Sequence, residues 1–205
     1  HNEIIKRKLV GKDLMVRRSL IDMYAKCGAF SKAYEVYKML PSQDTVSLTA
    51  LVAGYAEQGQ GQEAVRCLEH MKTEGLSPNR VTFLSVLSAC SHGGLLNEAQ
   101  TLYTDMTGQL NIPPNTEHHM CMVMVFGSAG HFDDAMSVIN TMPSSDHLEA
   151  WIVLLGACRK WGNLKLGQLA FDQALQLDNC CAAAYILMVD IFVSAGMQED
   201  AQNIE

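Results

Sequence analysis

The sequence has 205 residues and carries 15 Lys and Arg against 22 Asp and Glu, which gives a formal charge of −7. Its hydrophobic fraction of 48% can build a core, and no run approaches the ~18 uncharged apolar residues of a membrane span. Seven cysteines without a C-x-x-C pair fit neither a disulfide framework nor a zinc ribbon, so a folded protein of a reducing compartment without membrane spans is expected.

A pattern centred on glycine recurs along the whole chain. Its glycines are 31, 35, 36, 32 and 34 residues apart, at Gly28, Gly59, Gly94, Gly130, Gly162 and Gly196. Apolar residues stand eight, seven and, as a ring or a cysteine, four positions before each glycine, which is one face of a helix. We expect each glycine to take the positive φ of a turn into a second helix.

A small residue follows each of these glycines five positions later, as two closely crossing helices require. It is Gly167 once and otherwise alanine, at Ala33, Ala64, Ala99, Ala135 and Ala201. One such hairpin cannot bury its apolar face alone, so successive hairpins must stack. The predicted fold is therefore all-α, a right-handed superhelical solenoid of helix-turn-helix repeats.

The repeat also accounts for residues that could suggest chemistry. Cys90 and Cys158 take the position that rings hold in other repeats, so they are predicted to be packing residues. The histidines and cysteine at 118–131 match no closed zinc ligand set, and the G-x-G-x-x-A at 59–64 follows a helix rather than a strand. We predict no catalytic residue, no metal site and no cofactor, and hence no enzyme within this chain.

Three stretches resemble one protein family. The sequence SLIDMYAKCG at 19–28 resembles the short repeat of the plant PLS class of pentatricopeptide repeat proteins, and LSVLSACSHGG at 84–94 resembles its last long repeat. WIVLLGACR at 151–159 resembles the opening of the E region that follows such repeats. The resemblance divides the chain into the end of a long repeat at 1–13, a short repeat at 14–44, a standard repeat at 45–79, the last long repeat at 80–115, the last short repeat at 116–147, the first E motif at 148–181 and an incomplete second E motif at 182–205.

The resemblance implies a role in RNA editing. Members of this class bind single-stranded RNA of mitochondria or chloroplasts by sequence and act as site-recognition factors for C-to-U editing. The chain has no H-x-E paired with P-C-x-x-C to hold a catalytic zinc, so the deaminase is expected to come in trans. The partners implied are organellar RNA and, through the E region, a deaminase or editing accessory proteins.

Base reading in this family uses the fifth residue of the first helix and the last residue of the repeat. In the standard repeat these are Thr49 and Asn79, a pair that in the family favours adenine. Arg18 with Asp44 is predicted to read a second base poorly. Leu84, Met120 and Ile152 hold the fifth position elsewhere and cannot hydrogen-bond.

A base-stacking position comes second in each repeat. Met15, Val46 and Val81 are apolar there and can stack on bases, whereas Glu117 and Glu149 cannot and repel phosphate. Base reading is therefore expected to fade at the last short repeat and to be absent from the E region.

Charge follows the same division. Eight of the 15 basic residues lie within 1–32, while 81–158 has none and holds seven acids. Phosphate contacts are predicted at Lys6, Arg7, Lys8 and Lys26. An alternative remains open, a structural repeat scaffold within an organellar ribonucleoprotein or protein assembly. It would use the acidic interval 81–158 and the exposed, aromatic-containing end near Tyr185 and Phe192 for protein contacts.

Overall fold

The computed structural model describes residues 14–42, 44–143, 145 and 147–204, and within them regular structure is helical with no strand. A π-helical turn at Asp105–Gln109 follows the sixth helix. The helices, in chain order, are α1 (Leu14–Lys26), α2 (Phe30–Lys38), α3 (Thr45–Glu57), α4 (Gly61–Thr73), α5 (Arg80–Gly93), α6 (Leu96–Thr104), α7 (Thr116–Ala129), α8 (Phe132–Thr141), α9 (His147–Trp161), α10 (Leu164–Leu177), α11 (Ala182–Ser194) and α12 (Gln198–Asn203).

The repeat glycines make the turn inside each hairpin. All six have φ between +65° and +79°, a left-handed conformation that costs glycine little. In every hairpin the N–H of the residue after the glycine donates to the carbonyl five residues earlier, at 2.8–3.0 Å. This bond is the outer one of a Schellman cap and closes the first helix. The predicted turn glycines are confirmed.

The chain forms two compact units that meet in sequence between Pro113 and Pro114. In the first unit α3 packs against α1 and α5, and α2 and α4 each contact the first helix of the next hairpin. In the second unit α9 packs in the same way between α7 and α11. The predicted all-α stack of helix-turn-helix repeats is confirmed within each unit.

Small residues let the helices cross closely. Ala33, Ala64, Ala99 and Ala135 have no exposed surface, and a Cβ placed on Gly167 would lie 3.0 Å from Ile191 Cδ1. These positions are the ones that the glycine-plus-five pattern marks, so the predicted register is confirmed.

The core of each hairpin comes from the apolar residues before its glycine. Leu20 and Ile21 in α1, and Leu51 and Val52 in α3, are at most 2% exposed. No helix of the described residues is both long enough and apolar enough to cross a membrane. The buried side chains named above lie between the stacked helices of their unit.

Candidate nucleic-acid interface

Asn79 is held as the N-cap of α5. Its Oδ1 accepts hydrogen bonds from Thr82 N at 3.0 Å and from Thr82 Oγ1 at 3.2 Å. Its own backbone N–H donates to Thr82 Oγ1 at 3.3 Å, which completes a capping box. Asparagine forms this cap readily because its short side chain reaches the free N–H groups of the first turn. The side chain is thereby fixed in orientation although Asn79 is exposed.

Thr49 reaches the same hydroxyl from the neighbouring hairpin. Its Oγ1 lies 2.7 Å from Thr82 Oγ1, across the contact between α3 and α5. The structure therefore brings the predicted pair, Thr49 and Asn79, to one point. Sequence reasoning missed Thr82, which joins them. The available signal was its place three residues after an N-cap asparagine, where capping-box partners stand.

Exposed apolar side chains stand second in α1, α3 and α5. Val46, the second residue of α3, is 57% exposed, and Val81, the second residue of α5, is 59% exposed. Met15 near the start of α1 is 68% exposed. Side chains of this size usually lose most of their surface in a fold, so three exposed ones at equivalent places of the repeat are unusual. Their role in base stacking stays a prediction.

The second predicted pair, Arg18 and Asp44, forms a salt bridge. Arg18 Nη2 lies 3.3 Å from Asp44 Oδ2. Asp44 is the N-cap of α3, and its carboxylate also accepts from Ser47 N at 2.9 Å and from Ser47 Oγ at 3.1 Å. The Asp44 carboxylate and the Arg18 guanidinium are thus both engaged by partners within the protein.

Of the four residues predicted to contact phosphate, one lies within the described part of the chain. Lys26 Nζ lies 3.0 Å from Asp22 Oδ2 one helical turn away. That hydrogen bond and the carboxylate charge raise the pKa of Lys26. Lys26 is more than half exposed, so its ammonium can also approach a phosphate. Lys6, Arg7 and Lys8 lie outside the described residues.

The cap of α7 resembles that of α5 but offers less to a ligand. Asn115 Oδ1 accepts from His118 N at 3.2 Å, while Asn115 Nδ2 donates to Glu117 Oε2 at 3.2 Å. The amide nitrogen is therefore used inside the protein. Leu84, which holds the fifth position of α5, supplies no polar atom. Glu149 in α9 is exposed, as Glu117 is, and places a further carboxylate on this part of the chain.

Two cysteines and one histidine that could suggest chemistry are packed inside the fold, at Cys90, Cys158 and His118. Cys90 and Cys158 are fully buried, and burial raises the pKa of the Cys158 thiol to about 11. His118 is also buried and bonds through Nδ1 to Asn115 Oδ1. Among the described residues no group of three or more His, Cys, Asp or Glu side chains could hold a metal ion. The prediction that Cys90 and Cys158 are packing residues is confirmed.

The exposed end predicted near Tyr185 and Phe192 presents aliphatic side chains in place of the Phe192 ring. Phe192 is only 7% exposed, and Tyr185 stands edge-on against Phe171 with ring centroids 5.2 Å apart. The exposed apolar residues of α11 are Ile186 and Val193, at 62% and 55%. The prediction of exposed aromatic rings here is wrong for Phe192, because its ring faces the neighbouring helices.

Family sequence profiles match more than half of this chain. The profile of the PPR repeat family matches residues 43–92. The PPR repeat profile matches residues 18–44, 81–109 and 118–147. The matched segments include α3 with Thr49 and the start of α5 with Thr82.

Plant proteins align over nearly the whole chain. The pentatricopeptide repeat-containing protein At4g16470 of Arabidopsis thaliana is 36% identical and covers 100% of this chain. From the same plant, the proteins At3g57430, chloroplastic, and At3g53360, mitochondrial, are 35% and 38% identical over 100% and 91% of the chain. The chain spans 40%, 23% and 24% of the lengths of these three relatives.

Solved structures show the same fold. The maize pentatricopeptide repeat protein PPR10 superposes with a TM-score of 0.74 at 18% identity, covering 98% of this chain and 30% of PPR10. PPR10 in complex with an 18-nt psaJ RNA element gives a TM-score of 0.73 and covers 94% of this chain and 29% of PPR10. The stacked hairpins, the matching repeat profiles and these likenesses agree: the chain belongs to the pentatricopeptide repeat family.

Proposed function

We propose that this chain binds single-stranded RNA with a preference for certain bases, as a site-recognition factor for C-to-U editing in a plant organelle. One observation carries the RNA-binding part of the proposal. Thr49 and Asn79 meet at the Thr82 hydroxyl, and the second residues of the same two helices, Val46 and Val81, are exposed. A protein of the same fold, PPR10, has been solved with a bound RNA, which supports this reading.

The chemistry of the pair suits an unpaired base. A base whose flat face lies on Val46 and Val81 is desolvated there, and its Watson–Crick edge then needs hydrogen-bond partners. Thr49 and Asn79 supply a hydroxyl and an amide at that place. Because both ends of the pair are held by Thr82, little side-chain entropy remains to be lost when a base binds.

The repeat boundaries belong to the same proposal. We assign 14–44, 45–79, 80–115 and 116–147 to short, standard, long and short repeats of the PLS class, 148–181 to the first E motif and 182–205 to an incomplete second E motif. Support comes from the helices, because α3, α5, α7 and α11 begin at the first residue of an assigned interval. In addition, α9 begins one residue before its interval, at His147.

The E region is proposed as the docking surface for a deaminase that acts in trans. The first E motif, 148–181, has no pair comparable to Thr49 and Asn79, since Ile152 holds its fifth position. Deleting 148–205 should abolish editing in a complementation assay while RNA binding by the remaining repeats persists. Editing that survives the deletion would contradict this role.

The names of the relatives support two organelles without distinguishing between them. One relative is described as chloroplastic and another as mitochondrial, which supports one of these two compartments. Fluorescence microscopy of the tagged protein in plant cells would decide between them. A nuclear or cytosolic signal would contradict the proposal.

A structural scaffold is the second candidate. It is favoured by the absence of Lys and Arg from 81–158 and by the exposed Ile186 and Val193 on α11. Crosslinking followed by sequencing separates the candidates. Editing predicts a narrow RNA footprint upstream of an edited cytidine, whereas a scaffold predicts a footprint on structural RNA or contacts with proteins alone.

A further inference from the structure

The Thr82 hydroxyl links two side chains that belong to different hairpins. Thr82 has no exposed surface, and its Oγ1 has three neighbours: Thr49 Oγ1 at 2.7 Å, Asn79 Oδ1 at 3.2 Å and Asn79 N at 3.3 Å. A hydroxyl has one hydrogen and two lone pairs. Three contacts therefore use its full hydrogen-bonding capacity, and the direction of one bond constrains the others.

The donor and acceptor in each of these hydrogen bonds follow from two groups of Asn79 that can act in only one way, its backbone N–H and its amide oxygen. The Asn79 backbone N–H can only donate, so it takes one lone pair of Thr82 Oγ1. The amide oxygen of Asn79 can only accept, so the Thr82 hydrogen points at it. The amide is not reversed, because an amide nitrogen in the place of Oδ1 would face the N–H of Thr82.

Thr49 must then be the donor in its bond to Thr82. The hydrogen of Thr82 is already used, so the remaining lone pair of Thr82 Oγ1 accepts the Thr49 hydrogen. The opposite arrangement would leave Thr82 Oγ1 and Asn79 Oδ1 facing each other at 3.2 Å without a hydrogen between them. Thr49 thus keeps only lone pairs for a ligand, and Asn79 keeps its Nδ2 hydrogens, which have no partner in the described part of the chain.

We propose that Thr82 is a positioning residue that sets the hydrogen-bond polarity of the reading pair, with an acceptor at Thr49 and a donor at Asn79. This inference rests on the proposed reading role of that pair. Adenine carries an amino donor beside a ring-nitrogen acceptor on its Watson–Crick edge, which is the complementary order. Guanine and hypoxanthine carry a carbonyl acceptor beside an N–H donor, so the polarised pair opposes them.

The neighbouring caps lack this relay and supply a matched control. In α3, Ser47 stands where Thr82 stands in α5, but both of its bonds go to the carboxylate of Asp44. That carboxylate is bound by Arg18, so no amide donor is presented. Ser47→Ala therefore removes a capping hydroxyl of the same kind without touching Thr49 or Asn79.

The test compares adenosine with inosine, whose Watson–Crick edges carry opposite orders. The probes are two short oligouridines with one central adenosine or one central inosine, bound to the full chain at one low salt concentration. The unchanged chain should bind the adenosine RNA about fivefold more tightly than the inosine RNA, or more. Adenosine gains hydrogen bonds to Thr49 and Asn79, whereas inosine places an acceptor against the Thr49 acceptor and a donor against the Asn79 donor. Thr82→Val should bring the ratio close to one. Thr82→Ser and Ser47→Ala should leave it within twofold of the unchanged chain.

The outcomes of these measurements bear separately on the role of Thr82, on the polarity of the pair and on base reading itself. Thermal unfolding by circular dichroism first verifies that the variants fold, with Ser47→Ala as the reference for a lost cap. If Thr82→Val keeps the full adenosine preference, the role of Thr82 is overturned. If the unchanged chain binds inosine as tightly as adenosine, the proposed polarity is overturned without reference to any variant. Should it also fail to prefer adenosine over guanosine, the proposed reading function fails as well, so the two failures are distinguishable.

Discussion

The contact between α1 and α3 leaves no room for a side chain at Gly54. A Cβ placed there would lie 2.5 Å from Ala25 Cβ and 2.8 Å from the Ala25 carbonyl carbon. Two of the three nearest atoms belong to the backbone of α1, so no side-chain rotation can relieve the overlap. Gly54→Ala must therefore push the two helices apart.

Two effects of this substitution have opposite sign. Alanine stabilises a helix interior by about 1 kcal/mol relative to glycine. Overpacking a tight core costs about 1–3 kcal/mol, and the upper part of that range applies where backbone atoms collide. We therefore expect Gly54→Ala to lower the free energy of unfolding by about 1–2 kcal/mol.

Gly156→Ala is the matched control. Gly156 lies inside α9, and a Cβ placed there meets no atom within 4 Å. Only the propensity effect remains, so this variant should be stabilised by about 0.5–1 kcal/mol. Urea unfolding followed by far-ultraviolet circular dichroism measures both changes. A Gly54→Ala variant as stable as the unchanged chain would refute the packing of α1 on α3.

The remaining predictions concern packing, capping and ionisation. Ala64→Leu and Ala99→Leu should each cost about 1–3 kcal/mol in urea unfolding because both sites are fully buried, and unchanged stability in both would contradict the repeat register. Asp44→Ala should lower the melting temperature through loss of about 1 kcal/mol of N-cap stabilisation, whereas an unaltered melting temperature would argue against the cap. Burial raises the pKa of Cys158 from 9.0 to about 11, so its contribution to stability is complete below pH 9 and is lost as the pH rises toward 11. Alkylation at pH 8 should accordingly modify the exposed Cys27 before Cys158, and mass spectrometry showing the reverse order would contradict this.

Structural features that recur in every repeat could be predicted from the sequence. The six glycines with positive φ and the buried alanines five residues later recur at fixed distances from apolar helix faces, so each repeat supports the prediction made for the others. Local capping chemistry was also within reach, because Asp44 and Asn79 are residues that favour N-caps.

Contacts between hairpins could not be predicted in the same way. Thr49 and Thr82 are 33 residues apart in the sequence. Their hydroxyl oxygens lie 2.7 Å apart because α3 packs against α5. The burial of Phe192 likewise depends on how α11 rotates against its neighbours, since α11 is apolar on most of its circumference. When a helix has no polar face, periodicity does not tell which apolar side chains stay exposed.

Asn79→Asp offers the perturbation that bears most directly on base reading by Thr49 and Asn79. The fold should tolerate it, because Asp44 already caps α3 through the same kind of bond. A control variant, Asp44→Asn, makes the reverse change at a cap whose carboxylate is already occupied by Ser47 and Arg18. It should leave the base preference at the Asn79 site unchanged.

The decisive measurement is the ratio of affinities for two RNAs that differ by adenosine or guanosine at the position read by this pair, at equal salt. Asn79→Asp replaces the amide donor by an acceptor, so the preference should switch from adenosine to guanosine, whose N1–H and N2–H₂ groups are donors. Changing Lys6, Arg7 and Lys8 together to Ala should instead weaken both RNAs about equally and flatten the salt dependence. An adenosine-to-guanosine ratio that Asn79→Asp leaves unchanged would contradict base reading by this hairpin.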